Sequence, residues 1–359
     1  MKMKIGILGM PLTGKTTLFN LLTGQEKDVS PFSTKGTKNI GIAKVSDQRI
    51  NFLSSIFKPK KTTYATIEFV DIAGISPQLS SREKSEIFSL IQDADALLFA
   101  IRLFEDPAVA GENNPITQIE NMRYELLLRD LEVVENRLER LKHSKRKLTH
   151  DEIIEVEILD KCNTGLSEDQ FLSKLEFSEE ELKKLSGFRF YTLKPIIIAL
   201  NLGEEQFRTD NYPQKEDVEK MIRDNDMTSI LICGKLEMEI NQLEEEERKM
   251  FLEDLGLEET GIERLSRLCY RYLGLISFFT VGEDEVKAWT IKKGTIAKKA
   301  AGKIHSDIER GFIRAEIAQY QDLVSLGDMH KIKEKGLLKV EGKDAIIHDG
   351  EIINFRFNV

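Results

Sequence analysis

The sequence contains few cysteines, no excess of basic residues and no long hydrophobic segment. Among its 359 residues only Cys162, Cys233 and Cys269 are cysteines, and their wide spacing supports neither a disulfide framework nor a metal site, which fits a reducing cytosol. The net charge of −9 argues against a surface coated in positive charge for nucleic acid, although local basic patches are compatible with it. No apolar run approaches the ~20 residues of a membrane span. We therefore expect a cytoplasmic protein, and nothing in the sequence requires more than a monomer.

The stretch GMPLTGKTT, residues 9–17, has the spacing G-x-x-x-x-G-K-[ST] of a phosphate-binding loop. It follows the apolar run KIGIL, which predicts a strand, and it leads into the helical pattern LFNLLTG. Glycines such as Gly9 and Gly14 allow backbone N–H groups to wrap around phosphates, and the N-terminus of a helix favours bound anions. Lys15 is placed to reach the β- and γ-phosphates, and the Thr16 hydroxyl is placed to ligate Mg²⁺. The stretch therefore predicts a site for a nucleoside triphosphate and Mg²⁺.

A second candidate phosphate element is the D-x-x-G pattern that ends the β-rich run TIEFVDIAG. We expect Asp71 to hold Mg²⁺, directly or through water, and the Gly74 N–H to sense the γ-phosphate. Between the two motifs, Thr34 in SPFSTKG is a candidate switch threonine that ligates Mg²⁺. The alternative interpretation of Thr34 is an ordinary loop residue.

The residues expected to recognise the base depart from the usual GTPase pattern. GTPases commonly have N-K-x-D after a strand, and the aspartate accepts two hydrogen bonds from guanine. Here the run PIIIAL is followed by Asn201, Leu202, Gly203 and Glu204, so leucine replaces lysine and glutamate replaces aspartate. Adenine and guanine need different partners, because a buried polar group left unpaired weakens binding. The pattern predicts that this is not a standard guanine site, but it does not by itself specify adenine.

Strand and helix patterns divide the chain into three predicted parts. Apolar strands alternating with helices predict an α/β domain with a parallel sheet over residues 1–107 and 191–275, whose motifs gather at the carboxyl ends of the strands. A helical seam predicts a coiled-coil-like insertion over residues 108–190. Short strands with glycine turns, one of them at AIIHDG (345–350), predict a small α+β module over residues 276–359. The seam consists of Leu127, Leu131, Val134, Leu138 and Leu141.

A basic run lies near the bend of this helical insertion. Residues 137–147, RLERLKHSKRK, contain six basic residues and one acid. One interpretation is a contact with RNA or the ribosome through phosphates. The other is an ordinary solvated end of a helix, and the sequence alone does not separate the two.

Taken together, these motifs resemble the YchF/Obg-like ATPases, P-loop proteins of the translation-factor GTPase class, over nearly the whole chain. The resemblance includes the glycine loop, PFST, FVDIAG, FED, N-x-x-E and, above all, the terminal stretches LISFFTVGEDEVKAWTIKKGT, AAGKIHSDIERGFIRAE and DGEIINFRFNV. It implies a Ras-like G domain with a helical insertion and a C-terminal TGS domain, which is a ubiquitin-like β-grasp module. It also implies a preference for ATP over GTP and a ribosome or ribosomal RNA as partner.

The resemblance assigns roles to particular residues of this sequence. Thr16 and Thr34 would bind Mg²⁺, and Asn201, Leu202 and Glu204 would line the base pocket, with Leu202 touching adenine. The residues that would wrap the phosphates are Leu12, Thr13, Gly14, Lys15, Thr16 and Thr17.

Three departures from the family pattern bear on hydrolysis and binding. Leu12 stands where the family usually has asparagine, and the segment ISPQLSSREKSE after D-I-A-G lacks the family's glycine-rich switch. The family often has a histidine soon after FED, but this chain has none before His143. Ile75, where many GTPases keep a water-orienting glutamine, is not a departure, because the family is apolar there too. The sequence therefore predicts nucleotide binding more firmly than fast hydrolysis.

These observations lead to one main hypothesis and two alternatives. The main hypothesis is a cytosolic, Mg²⁺-dependent P-loop ATPase with slow hydrolysis, in which Lys15, Thr16, Asp71 and Gly74 support the reaction. The alternatives are a GTPase of the Obg-related class and a nucleotide-binding, ribosome-associated protein with negligible hydrolysis.

Overall fold

The computed structural model describes residues 3–25, 38–106 and 113–358. Within them the strands are β1 (Lys4–Leu8), β2 (Asn39–Lys44), β3 (Lys61–Thr63), β4 (Thr66–Asp71), β5 (Ala96–Arg102), β6 (Ile196–Asn201), β7 (Thr228–Ile232), β8 (Leu275–Thr280), β9 (Glu285–Lys292), β10 (Phe312–Ala318), β11 (Lys339–Glu341) and β12 (Ile352–Phe357). The α-helices are α1 (Lys15–Thr23), α2 (Gln48–Phe57), α3 (Ser81–Ser89), α4 (Pro115–Lys142), α5 (His150–Ser167), α6 (Glu179–Leu185), α7 (Glu204–Thr209), α8 (Lys215–Asp224), α9 (Gly234–Gln242), α10 (Glu245–Asp254), α11 (Gly261–Tyr272), α12 (Ala297–Ile304), α13 (Ser306–Arg310), α14 (Tyr320–Leu326) and α15 (Met329–Glu334).

The chain forms two compact units, one of residues 3–41 and 68–262 and the other of residues 42–67 and 263–358. Residues 42–67 thus group with the C-terminal part, a grouping that the sequence patterns do not indicate. The predicted three-part division at 107, 190 and 275 stays a prediction. No helix of the described segments is long and apolar enough to cross a membrane.

A six-stranded sheet with the order β2-β4-β1-β5-β6-β7 carries the phosphate loop. Its central pairs, β1 with β4 and β5, β5 with β6, and β6 with β7, are all parallel. Every residue of β5 and β6 is buried, as expected for continuous apolar strands covered on both faces. This confirms the predicted α/β class, and the parallel direction brings the ends of β1, β4, β5, β6 and β7 to one edge.

The helical insertion is built on the long helix α4, which packs against α5. Its predicted seam faces the core, since Leu127, Val134, Leu138 and Leu141 are buried and Leu131 packs against them in partial burial. Helix α4 begins at Asn114, whose side chain accepts from the Thr117 N–H. The predicted helical seam is therefore confirmed, and we call α4 and α5 the helical arm.

The second unit contains a mixed sheet with the order β11-β10-β12-β8-β9-β3. Strands β8 and β9 form an antiparallel pair, β12 pairs with β8 in parallel, and α12 and α13 lie between β9 and β10 in the chain. This is the β-grasp arrangement that the family resemblance implies. The prediction of a strand at AIIHDG is wrong, because that stretch makes only an isolated bridge between Ile346 and Ile296. The stretch TIAKKAAGKIHSDIERG, whose pattern predicts one helix, forms the two helices α12 and α13, which are divided at His305, whose backbone is extended.

Residues 42–67 contribute an edge strand and a partly exposed ion cluster to this second unit. Strand β3 pairs with β9 in parallel, with Lys61 opposite Glu285. The Arg49 guanidinium bonds to Asp47 and to Asp349, each at 2.8 Å, and Asp349 also accepts from the Ser277 N–H at 2.9 Å. Charge-assisted bonds of this kind fix the segment to β8 and the C-terminal turn of the same unit.

Candidate nucleotide-binding site

The glycine loop between β1 and α1 has the backbone that its spacing predicts. Gly14 caps α1 with φ 87°, a left-handed conformation that favours glycine, and Gly24 ends the helix in the same region with φ 63°. A side chain on Gly9 would meet the Ala100 carbonyl oxygen of β5 at 2.6 Å. Leu12 also has a left-handed backbone, with φ 61°, although it carries a side chain. The loop therefore stores strain at Leu12, the position where the family usually has asparagine.

Lys15 lies buried inside the loop. Its Nζ donates to the Met10 carbonyl oxygen at 2.6 Å, which bends the side chain back across the loop. Burial lowers the pKa of the Lys15 ammonium to about 8, while the nearby Asp71 carboxylate opposes the shift. A cation held at this position is available to a phosphate that offers it a charged acceptor in place of the carbonyl.

Thr16, in the first turn of α1, contacts Asp71, the last residue of β4. The Thr16 Oγ1 donates to Asp71 Oδ2 at 3.1 Å, and Asn39 of β2 donates to the same oxygen at 3.4 Å. Asp71 is 3% exposed, and its Oδ1 has no hydrogen-bond partner among the described residues. Burial raises the pKa of the Asp71 carboxyl, although Lys15, Thr16 and Asn39 all oppose that shift. The Thr16 hydroxyl oxygen and the unpaired Oδ1 of Asp71 therefore lie side by side, and both are oxygens of the kind that ligate Mg²⁺.

The segment after Asp71 lies against the glycine loop. The Ile75 N–H donates to the Gly9 carbonyl oxygen at 3.0 Å. A side chain at Gly74 would come within 2.7 Å of the Pro11 nitrogen and 3.1 Å of the Lys15 Nζ. Only glycine fits this approach, so the D-x-x-G glycine is explained by its packing on the loop.

Asn201 at the end of β6 joins three elements of the site. Its Nδ2 donates to the Thr13 carbonyl oxygen at 3.1 Å, and its Oδ1 accepts from the Gly234 N–H at 3.0 Å. The residue is 4% exposed. Both ends of its amide therefore serve to hold the glycine loop and the start of α9 together, which is a structural role in addition to lining the pocket.

A cavity of about 680 Å³ opens beside this asparagine. Gly14 and Thr17 form its border with the glycine loop, and Leu202 lies in its wall. Glu204 lies at the cavity too, but its carboxylate is paired with the Lys235 ammonium. That contact lowers the pKa of Glu204 and raises the pKa of Lys235.

Sequence reasoning did not identify several residues of this cavity. Phe104 and Met238 add apolar surface, while Gly234 and Lys235 add the loop that follows β7. The available signal was the position of Gly234 and Lys235 just after the apolar run SILIC, which begins within β7. Like the other motifs, these residues lie at the carboxyl end of a parallel strand.

The structure brings most of the sequence-predicted site residues to one edge of the sheet. Around the glycine loop lie Lys15, Thr16, Asp71 and Gly74, with Gly9, Leu12, Thr13 and Gly14 in the loop itself. Thr17, Asn201, Leu202 and Glu204 line the adjacent cavity. Thr34 lies outside the described residues.

A glycine loop between a parallel strand and a helix, with D-x-x-G packed against it, defines a P-loop nucleotide-binding protein of the G-domain type. Residues 4–137 match a family model described as "50S ribosome-binding GTPase", and residues 275–358 match the model YchF-GTPase_C, described as "Protein of unknown function (DUF933)". Together with a relative named YchF that is 40% identical over the full length of the chain, these matches show that the chain belongs to the YchF family, which confirms the resemblance seen in the sequence.

Relatives of known name and structure align with the chain over its whole length. The chain is 40% identical over 370 residues to the Ribosome-binding ATPase YchF of Bacillus subtilis (strain 168), covering 100% of both chains. It is 37% identical over 366 residues to the protein of the same name from Escherichia coli O157:H7, again covering 100% of both. The solved structure of the Schizosaccharomyces pombe YchF GTPase is 29% identical, with a TM-score of 0.86 over 99% of this chain and 98% of that one.

Proposed function

We propose that this protein is a Mg²⁺-dependent P-loop NTPase that prefers ATP to GTP and hydrolyses it slowly to ADP and phosphate. The observation that carries the proposal is the buried cluster of Lys15, Thr16 and Asp71 beside the glycine loop. The loop amides and Lys15 would bind the phosphates, and the Gly74 N–H would contact the γ-phosphate. Catalysis would come chiefly from positioning and from neutralising charge that develops during phosphoryl transfer.

The residues present fit a magnesium ion. Mg²⁺ takes hard oxygen ligands, and the unpartnered Oδ1 of Asp71 lies next to the Thr16 hydroxyl that bonds to the same carboxylate. When bound, the ion would supply positive charge that offsets the charge of the phosphates. Thr16 and Asp71 would hold it, and Thr34 is proposed as a further ligand.

The preference for ATP rests on the composition of the cavity wall. A guanine site of the usual kind uses a free aspartate, whereas Glu204 is longer and is engaged by Lys235. Leu202 replaces the usual lysine and lies in the cavity wall, so this position offers a base no charged side chain. The proposed adenine pocket is formed by Asn201, Leu202 and Glu204 together with Phe104.

The proposal of slow hydrolysis rests on the lack of a polar side chain at position 75 that could orient water near the proposed γ-phosphate position. Ile75 is buried, with 1% exposure, and its apolar side chain cannot orient an attacking water. No histidine precedes His143 in the sequence. The same observation favours a second candidate function, a nucleotide-dependent binding protein with negligible hydrolysis.

We further propose that the protein binds the ribosome in the cytoplasm as a monomer and that nucleotide state controls this contact. The relatives from Bacillus subtilis and Escherichia coli carry ribosome binding in their names. The basic run on the helical arm supplies a candidate contact, although Arg137, Lys142 and Arg146 pair with Glu155, Asp160 and Glu152. These pairs leave less positive charge at the end of the arm than the sequence suggests.

The proposed function is tested by titrating nucleotide-free protein with ATP, ADP and GTP, with and without Mg²⁺, while phosphate release is followed. We expect tighter binding of ATP than of GTP, a requirement for Mg²⁺ and slow release. Tenfold tighter GTP binding would return the protein to the GTPase class. Tight ATP binding with release at background, even with ribosomes, would favour the second candidate.

A further inference from the structure

We propose that the helical arm positions the Gly74 segment of the nucleotide site through a polar clamp between α3 and α4. The clamp consists of Ser81, Lys84 and Ser85 on α3 and of Glu125 and Arg129 on α4. This inference concerns regulation of the proposed nucleotide site and so rests on the proposed function. Glu125 and Arg129 are positioning residues of the clamp: through α3 they affect the proposed contact between the Gly74 N–H and the γ-phosphate.

The first step is the short connection between Gly74 and α3. Gly74 packs on the glycine loop, as described above, and the chain then makes a tight turn in which the Leu79 N–H donates to the Ser76 carbonyl oxygen at 3.1 Å. Helix α3 begins directly afterwards with a capping box between Ser80 and Glu83. A displacement of α3 is therefore carried to Gly74 through only a few residues.

The second step is the set of contacts that hold α3 to the arm. Lys84 forms an ion pair with Glu125, and the two side chains are 14% and 12% exposed. The Arg129 guanidinium donates through Nη1 to the Ser85 hydroxyl and through Nη2 to the Ser81 hydroxyl, at 3.4 Å for the latter. Partly buried charged contacts of this kind have defined geometry, so they are either made or broken.

The third step is the anchoring of the arm itself. Asp130, the neighbour of Arg129, is 1% exposed and accepts from the Tyr191 N–H and from the N–H and hydroxyl of Thr192. The Tyr191 hydroxyl in turn donates to the Phe88 carbonyl oxygen of α3 at 2.8 Å. Helix α4 is thus fixed to the segment that precedes β6, and the clamp extends from this fixed point.

The fourth step is an alternative pairing built into α4. Glu125 Oε2 and Arg129 Nε are both buried without a hydrogen-bond partner among the described residues. These residues are four apart on one helix, the spacing at which a glutamate and an arginine pair most readily. If the N-terminal turns of α3 withdraw, while its C-terminal end stays held by Tyr191, Glu125 and Arg129 can pair with each other. In this proposed second state they pair beside the Glu132 carboxylate that Arg129 Nη1 already contacts at 3.3 Å, and a switch requires two such states.

The clamp predicts that contacts on the arm alter the preference for ATP over ADP, because only ATP has the γ-phosphate. We would reverse the ion pair with Lys84→Glu, with Glu125→Lys, and with both changes together. Each single change should reduce the ratio of ADP to ATP dissociation constants at least about fivefold, the lower limit of a typical coupling. The double variant, in which opposite charges face each other again, should recover the ratio.

The matched control reverses an ion pair of the helical arm that does not touch α3. Asp151→Lys with Lys184→Glu changes a contact between α5 and α6 and should leave the ratio unchanged. Since ATP and ADP bind the same folded fraction, partial unfolding of a variant alters both dissociation constants equally and cancels in the ratio.

A distance measurement tests directly whether the helical arm changes position with the bound nucleotide. Spin labels at Lys145→Cys near the end of the arm and at Glu216→Cys on α8 report how the arm lies relative to the sheet. Because α4 continues for 12 residues beyond the anchored Asp130, a length of about 18 Å, a tilt of about 10° about that point moves its far end by about 3 Å. We expect the distance to differ between ADP and a non-hydrolysable ATP analogue, and this difference to be lost in Lys84→Glu.

The outcomes separate this inference from the proposed function. If the wild-type protein binds no nucleotide, the proposed function fails and the clamp with it. If it binds ATP but single reversals leave the ATP/ADP ratio unchanged, or the double variant stays as low as the singles, the clamp is wrong and ATP binding stands. A label distance that is the same with ADP and the ATP analogue would also overturn the clamp.

Discussion

The buried carboxylate Asp130 gives a quantitative test of how the helical arm is anchored. Its Oδ1 accepts from the Tyr191 N–H at 3.0 Å, and its Oδ2 accepts from the Thr192 N–H and hydroxyl, both at 2.7 Å. Burial raises the pKa of Asp130 to about 6, even though the three hydrogen bonds oppose the shift. The cost of removing the charge from water thus outweighs the bonds that stabilise it.

This raised pKa fixes the sign of a pH dependence. Between the unfolded pKa of 3.8 and the folded pKa of about 6, the folded protein holds a proton that the unfolded chain has released. Stability therefore increases as the pH falls through this window and decreases as the pH rises through it. Between about pH 7.5 and about pH 4.5 the contribution of Asp130 should change by about 2 kcal/mol.

The perturbation that isolates this contribution is Asp130→Asn, because asparagine does not titrate. We would measure free energies of unfolding by urea denaturation of both proteins at several pH values. Relative to the variant, the wild-type protein should gain about 2 kcal/mol on going from about pH 7.5 to about pH 4.5. Other groups titrate in both proteins and cancel in the difference.

Asp93→Asn provides a control of opposite sign. A hydrogen bond from Lys4 lowers the pKa of Asp93, so the wild-type protein should lose stability relative to this variant as the pH falls. A difference between wild type and Asp130→Asn that stays constant across the pH range would refute the reasoning about Asp130.

Four further changes test other parts of the site. Lys15→Ala should weaken ATP binding at least about tenfold and abolish phosphate release while the protein still unfolds cooperatively, since a charged bond to phosphate is lost; normal ATP affinity would mean that the phosphate site is misplaced. Leu202→Lys combined with Glu204→Asp should shift the ATP/GTP affinity ratio about tenfold toward GTP, and an unchanged ratio would place selectivity elsewhere. Leu12→Asn should raise the free energy of unfolding by about 1 kcal/mol by relieving the left-handed leucine, which urea denaturation would reveal or disprove. Lys145→Glu should weaken co-sedimentation with ribosomes and reduce the salt slope by about one; unchanged binding would make the basic run an ordinary solvated surface.

Sequence patterns predicted the elements that depend on residues close together in the chain, namely the glycine loop, the helical seam and the apolar strands. The loop around Gly14 follows from spacing, since only glycine suits its left-handed backbone and close approach. The seam from Leu127 to Leu141 follows from helical periodicity, because burial of one face repeats every three to four residues. The parallel strands β5 and β6 were recognisable as continuous apolar runs because both of their faces are covered.

Contacts between distant residues were not predictable in this way. Strand β3 has only three residues, KTT, and its pairing with β9 depends on a partner more than two hundred positions away. A strand this short carries no periodic signal. The grouping of residues 42–67 with the C-terminal unit therefore emerged only from the structure.

Buried polar residues on the arm were likewise not recognisable from the sequence. Glu125, Arg129 and Asp130 look like the charged face of an exposed helix, yet all three lie at least largely buried against neighbouring segments. Their burial depends on partners on α3 and before β6. Lys235 is a similar case, since its role at the cavity is set by pairing with Glu204.

The central claim, an ATP-selective Mg²⁺-dependent site that turns over slowly, is tested most directly by one titration. Purified nucleotide-free protein would be titrated with ATP and GTP in the presence of Mg²⁺, with phosphate release followed in the same samples. We expect tighter binding of ATP, together with slow release that depends on Mg²⁺. Equal or tighter binding of GTP, or the absence of any ATP binding, would contradict the account.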